Sequence, residues 1–154
     1  MLVAELFEKR ISRYRRFKNL LMEQQKALLK GDSSQLHSIS QQQLCCLEEI
    51  QKLEMQWQSW LKAEKVENSG AISQWTNLQG NVEISEQVEA YQEQLSRLWK
   101  EIEQLRDSNR LLIENSLDFI SALLNQVKNG FGNQVGYHPL ERPAATNLIV
   151  NKKI

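Results

Sequence analysis

From residue 1 to residue 129 the chain contains no proline and only three glycines, Gly31, Gly70 and Gly80; both prolines, Pro139 and Pro143, fall among the last sixteen residues. Proline removes a backbone donor and clashes with the preceding helical turn, and glycine is the other common helix breaker. Almost nothing therefore interrupts a helix here except at those three glycines. Glutamine, glutamate, leucine, lysine and arginine dominate the same stretch, and these straight-chain residues lose little rotamer freedom in a helix. The expected fold class is all-α, and 154 residues suffice for one domain with its own core.

The first expected helix covers about residues 2–30. Val3, Phe7, Ile11, Tyr14, Phe17, Leu21 and Leu28 recur mostly at intervals of three and four, which is one stripe of a 3.6-residue period. Gly31-Asp32 ends it. Gly31 suits the left-handed position at a helix C-terminus, and Asp32 suits the cap of the next helix, with Gln35 three residues on in the pattern of a capping box. The second helix, residues 33–65, carries an unbroken seam of Leu36, Ile39, Gln43, Cys46, Ile50, Leu53, Trp57 and Trp60. Polar Gln43 and small Cys46 thin its first half, so the tryptophan end is expected to pack better. Periodicity fails over residues 66–81, where Asn68, Ser69, Gly70, Asn77, Gly80 and Asn81 accumulate. A loop or short helix is expected there, with Ile72, Trp75 and Leu78 packing on Trp57 and Trp60.

The third helix, residues 82–129, repeats at Val88, Tyr91, Leu95, Leu98, Ile102, Leu105, Asn109, Leu112, Ser116, Phe119 and Leu123, always three or four apart. It should be ~70 Å long, against ~50 Å for the second helix and ~40 Å for the first. The expected architecture is an antiparallel, coiled-coil-like bundle of three long helices over residues 1–129, the last helix longest. A flexible tail is expected over residues 130–154, where Gly130, Gly132, Gly136, Pro139 and Pro143 sit among polar residues. Leu148, Ile149, Val150 and Ile154 near the end are too few for a core.

After Asn109 the third helix acquires a second seam. Ile113, Leu117, Ile120, Leu124 and Val127 run beside Leu112, Phe119 and Leu123, so the apolar face widens just where neighbouring helices should run out. Three coverings are open: the first helix or the tail folding over the face, a second copy pairing with it, or an amphipathic helix of another protein lying on it. Asn109 itself sits at a seam position, either as a buried residue that fixes register or at a bend between two helical halves.

The remaining composition narrows the function. Cys45 and Cys46 are adjacent, unlike the separated pairs of zinc or disulfide frameworks, and only two histidines occur, His37 and His138. No phosphate-binding loop, nucleophile elbow or zinc-protease motif is present, so neither catalysis nor a cofactor is expected. Nothing resembles a secretory leader or an apolar span of ~18 residues, which predicts a soluble, cytoplasmic protein without membrane insertion. Formal net charge is zero, yet residues 1–30 carry eight Lys/Arg against three Asp/Glu and residues 31–129 carry eight against fifteen. The cluster Lys9, Arg10, Arg13, Arg15, Arg16 and Lys18 wraps around its helix instead of forming one stripe. Packing against acidic helices explains it better than nucleic-acid binding.

The order and spacing of these features resemble the FlgN-type flagellar export chaperones over nearly the whole chain. The matching elements are Leu28-Leu29-Lys30-Gly31-Asp32 at the hairpin turn, Asn109-Arg110-Leu111-Leu112-Ile113 before the doubly apolar stretch, and Gly136-Tyr137 in the tail. The resemblance implies a cytosolic chaperone that binds C-terminal helical segments of the hook-filament junction proteins FlgK and FlgL. It also implies delivery to the export gate protein FlhA, with the export ATPase complex as a further contact. On that basis Leu112, Ile113, Leu117, Phe119, Ile120, Leu123, Leu124 and Val127 are the expected partner-binding residues and Tyr137 the expected gate contact. The rival reading is a homodimeric coiled-coil scaffold without an export role.

Overall fold

A computed structural model of the chain describes residues 3–68, 71–78 and 82–132. These form α1 (Val3–Lys30), α2 (Ser33–Ala63), the short α3 (Ile72–Leu78) and α4 (Val82–Gly132), with no strand among the described residues. The protein is all-α, as expected. The tail beyond residue 132, including Tyr137, lies outside the described residues. The chain divides into two units, residues 1–115 and residues from 116 onward, and α4 runs through the boundary as one 51-residue helix.

In the first unit the turn between α1 and α2 follows the chemistry of Gly31-Asp32. Gly31 has φ +67°, and its amide and that of Asp32 donate to the carbonyls of Leu28 and Ala27 at 3.2 and 3.1 Å, closing α1 with a Schellman motif. Asp32 then caps α2, its Oδ1 accepting from the Gln35 amide at 3.0 Å. A Cβ at Gly31 would meet nothing within 4 Å, so only the backbone conformation demands glycine there. The far end of α2 closes the same way without glycine. Lys65 takes φ 55°, the Lys65 amide donates to Lys62 and the Val66 amide to Leu61, and Val66 and Leu61 both enter the core. No sequence signal marks that stop, which shortens α2 from the expected residue 65 to Ala63.

The seams read from the sequence are the faces that pack. Val3, Phe7, Ile11, Tyr14 and Leu21 of α1, Ile39, Cys46, Ile50 and Trp57 of α2, and Val88, Leu95, Leu98 and Ile102 of α4 are all buried. The tryptophan end is the aromatic centre: Trp57 meets Phe7 edge-on at 4.9 Å and stacks on Trp60 at 5.4 Å, while Phe7 stacks on Tyr91 at 5.6 Å. α3 joins through Trp75, edge-on to Trp60 at 5.3 Å, and through fully buried Ile72. Leu78, expected to pack there too, is 88% exposed. The seven-residue helix cannot turn Ile72, Trp75 and Leu78 toward the same neighbour, because positions i and i+6 lie about 120° out of line around a helix axis.

One polar cluster is built into this core. Arg10 grips Glu54 with Nε to Oε1 at 2.8 Å and Nη2 to Oε2 at 3.0 Å, and the Tyr14 hydroxyl donates to the same Oε1 at 2.9 Å. The Arg10 guanidinium also lies 4.5 Å from the Trp57 ring centroid. Burial, and then the Glu54 charge and hydrogen bond, push the Tyr14 hydroxyl well above its ordinary pKa, so it stays a donor throughout the physiological range.

Contacts between α1 and α4 keep a steady register. Glu8 meets Tyr91, Tyr14 meets Trp99, Lys18 meets Glu101 and Gln24 meets Asn109, each at a sequence offset of 83 or 85 residues. The two helices thus run parallel, and α1 stops at Lys30, the register position of Ile113 to Asn115. In the second unit every described side chain from Ser116 to Gly130 is exposed.

Two stability changes test this packing. Lys65→Gly is expected to raise unfolding free energy by ~0.5 to 1 kcal/mol in urea titration, because glycine adopts the left-handed stop without side-chain strain. Glu54→Ala is expected to cost ~2 to 4 kcal/mol in the same titration, since it strands a buried guanidinium. Replacing Arg10 and Glu54 together by methionine should cost less than the single change.

Candidate functional site

Two features of the first unit compete with α4 for a functional reading, and the structure resolves both. Most of the basic cluster on α1 is neutralised internally. Lys9 pairs with Glu5, Arg10 with Glu54, Arg13 and Arg16 both with Glu49, and Lys18 with Glu101. All but the first of these partners lie on α2 and α4, the helix-to-helix pairing that the charge asymmetry predicts. The cysteines differ in burial: Cys45 is exposed, and Cys46 is fully buried with its thiol 3.7 Å from the Arg13 carbonyl. Desolvation pushes the Cys46 thiol pKa up, so it behaves as a small apolar residue. Among the described residues no group of three His, Cys, Asp or Glu side chains is placed to hold a metal ion. No helix among them is long and apolar enough to cross a membrane.

What remains is the end of α4. Within the first unit Leu112 is half-buried and Ile113 is 40% exposed. Within the second, Leu117, Phe119, Ile120, Leu123, Leu124 and Val127 expose between 44 and 65% of their surfaces. At 100° per residue these eight side chains fall in one sector about 160° wide, interrupted only by Ser116. Glu114, Asn115, Asp118, Ser121, Asn125, Gln126, Lys128 and Asn129 fill the opposite sector. By the same count the apolar sector is the one that carries Val88, Leu95, Leu98 and Ile102 into the core farther up the helix. A helix polar on one side and apolar over so wide an arc is built to bury that arc.

Of the eight residues expected to bind a partner, Leu117, Phe119, Ile120, Leu123, Leu124 and Val127 share one face of the helix in the second unit, and Leu112 and Ile113 lie in the first unit. Tyr137 lies outside the described residues. Leu111, 55% exposed, is not among the expected eight; it sits on the far side of the helix from the apolar sector, and nothing in its periodicity marks it. Asn109 proves to be buried, 2% exposed, with its amide nitrogen donating to the Leu21 carbonyl at 2.9 Å, so the bent-helix alternative does not describe it. It marks the last deeply buried position of the seam before the exposed stretch.

Comparison with curated proteins and with solved structures gave no match. The sequence model of one family, described as FlgN protein, matches residues 2–141, which takes in all four helices and the entire apolar sector of α4. With a match over that much of its length, the chain belongs to the FlgN family.

Proposed function

We propose that the protein is a cytoplasmic flagellar export chaperone that binds amphipathic helices at the C-termini of the hook-filament junction proteins FlgK and FlgL and hands them to the export gate. Membership of the FlgN family supports the chaperone and export role. The observation that carries the binding mode is the run of half-exposed apolar side chains from Leu117 to Val127 on one side of α4. Leu112 and Ile113 are the two expected binding residues that lie within the first unit.

The energetics suit a carrier. Full burial of a large apolar side chain contributes ~1.5 to 3 kcal/mol, and these side chains are already about half covered by their own helix. Six of them offer roughly 5 to 9 kcal/mol gross, comparable with the entropic cost of association. Such a contact is reversible, as a chaperone that must release its client requires. A client helix brings its own apolar stripe and leaves the polar sector of α4 in water, so the complex stays dispersed. Tyr137, in the tail, is the proposed contact with the gate protein FlhA; a tyrosine joins contact area and one hydrogen bond at low entropic cost.

Ile120→Asp places a carboxylate in the middle of the apolar sector. Client-peptide affinity by calorimetric titration should fall by about thirtyfold or more, with helical content by circular dichroism unchanged. Unaltered affinity would remove this face from the account, and a tight dimer that binds no client would support the scaffold reading. Tyr137→Ala should leave client affinity as it is while lowering the amount of junction protein secreted; equal secretion would dismiss Tyr137 as the gate contact.

A further inference from the structure

Three side-chain amides, one from each long helix, meet at the edge of the core on the side of the α1–α2 turn, and of the three Asn109 is the buried one. Asn109 Nδ2 donates to the Leu21 carbonyl at 2.9 Å and to Gln24 Oε1 at 3.0 Å, and Gln43 Nε2 donates to the same Gln24 oxygen at 3.3 Å. The Leu21 carbonyl fixes the direction of the Asn109 amide, because only its NH2 end can face an acceptor. Asn109 Oδ1 is buried without a hydrogen-bond partner among the described residues. An amide at such a seam position is less stabilising than leucine, and its established use in coiled coils is to select one alignment over others.

α4 has an alternative alignment to be selected against. Beyond Asn109, Leu112, Ser116 and Phe119 repeat the four-then-three spacing that Leu98, Ile102 and Leu105 hold before it. A slide of α4 by one heptad, about 10 Å, would bring Asn109 to the place of Ile102, Leu112 to that of Leu105 and Phe119 to that of Leu112. The slide would cover Leu112 and Phe119 but would draw Val88 out of the core and Tyr91 off Phe7, so it exchanges one apolar burial for another and hydrophobicity alone does not select the register. The solvent-exposed Tyr91–Glu8 hydrogen bond and the Lys18–Glu101 pair, with Glu101 half exposed, contribute to the register but are too weakly held to set it alone. Asn109 does oppose the slide: at the place of Ile102, which is 5% exposed, the amide would forfeit both bonds and be buried unpaired.

We infer that the Asn109 amide, with Gln24 and the Leu21 carbonyl, is a register lock that keeps α4 from sliding to bury its own apolar end. Asn109 is thereby a positioning residue for the face from Leu117 to Val127. Its value to binding rests on the chaperone reading above, but the alignment it sets can be measured with no client present.

Cysteine pairs read the alignment directly. In a Cys45→Ser, Cys46→Ala background, Lys18→Cys with Glu101→Cys reports the observed register, and Lys18→Cys with Ser108→Cys reports the register one heptad on. With Asn109 in place the first pair cross-links and the second gives a trace. Adding Asn109→Leu should raise the second yield by about tenfold or more, and Asn109→Ala, which removes the amide without adding bulk, should raise it as well. Either variant, folded by circular dichroism and still showing only the trace, would overturn the lock. Failure of both to fold would also overturn it, since the amide would then be a requirement for folding and not a choice between registers.

Discussion

Length is the constraint on which the rest depends. α4 has 51 residues and α1 has 28, and the two run parallel in a fixed register. At 1.5 Å per residue, α4 is about 35 Å longer than its counterpart α1. The apolar seam does not stop where the counterpart does. It widens, and the side chains from Leu117 to Val127 are left half exposed. A chain that needed α4 only for its own core would lose nothing by ending the apolar pattern near Asn109.

The first unit is held in a way that fixes this length difference firmly. One node is the joint of Arg10, Tyr14, Glu54 and Trp57, where a two-pronged ion pair, a hydroxyl donor and a cation over an indole face meet toward the open end of the α1–α2 hairpin. Next to it, Phe7 is shared between Trp57 of α2 and Tyr91 of α4, so one ring sets both helices against α1. The charge asymmetry of the sequence serves the same packing, because carboxylates on α2 and α4 meet four of the eight cations of α1. With those charges paired, the conspicuous exposed feature of the described residues is the apolar end of α4.

Much of this architecture is legible in the order of the residues. The seams of α1 and α2 pack as their spacing indicates, because a period of three and four leaves a helix only one side to bury. The Gly31-Asp32 turn is readable since glycine and aspartate each satisfy a specific backbone need there. The end of α2 is not, because Lys65 adopts a left-handed conformation that its chemistry does not favour and the surrounding contacts impose. Leu78 departs from expectation for a related reason: apolar spacing shows that residues could share a side, but not that a seven-residue helix has a surface to meet on that side. The grip of Arg10 on Glu54 joins residues 44 apart, and nothing in local pattern singles out that pair from the other charges on the same helices.

The sequence by itself determined that the chain is helical, where α1 stops, and that the end of the last helix is apolar over more than a narrow stripe. These are local properties, set by backbone preference and by the angle between successive side chains, and they need no knowledge of neighbours. Tertiary structure alone decided which of the repeated heptads lie against α1, and hence which apolar residues are buried and which face water. A repeating seam is degenerate along its own axis, so its alignment is settled by the few contacts that do not repeat: the Tyr91 hydroxyl on Glu8, Lys18 on Glu101, and the amide of Asn109 on Leu21 and Gln24.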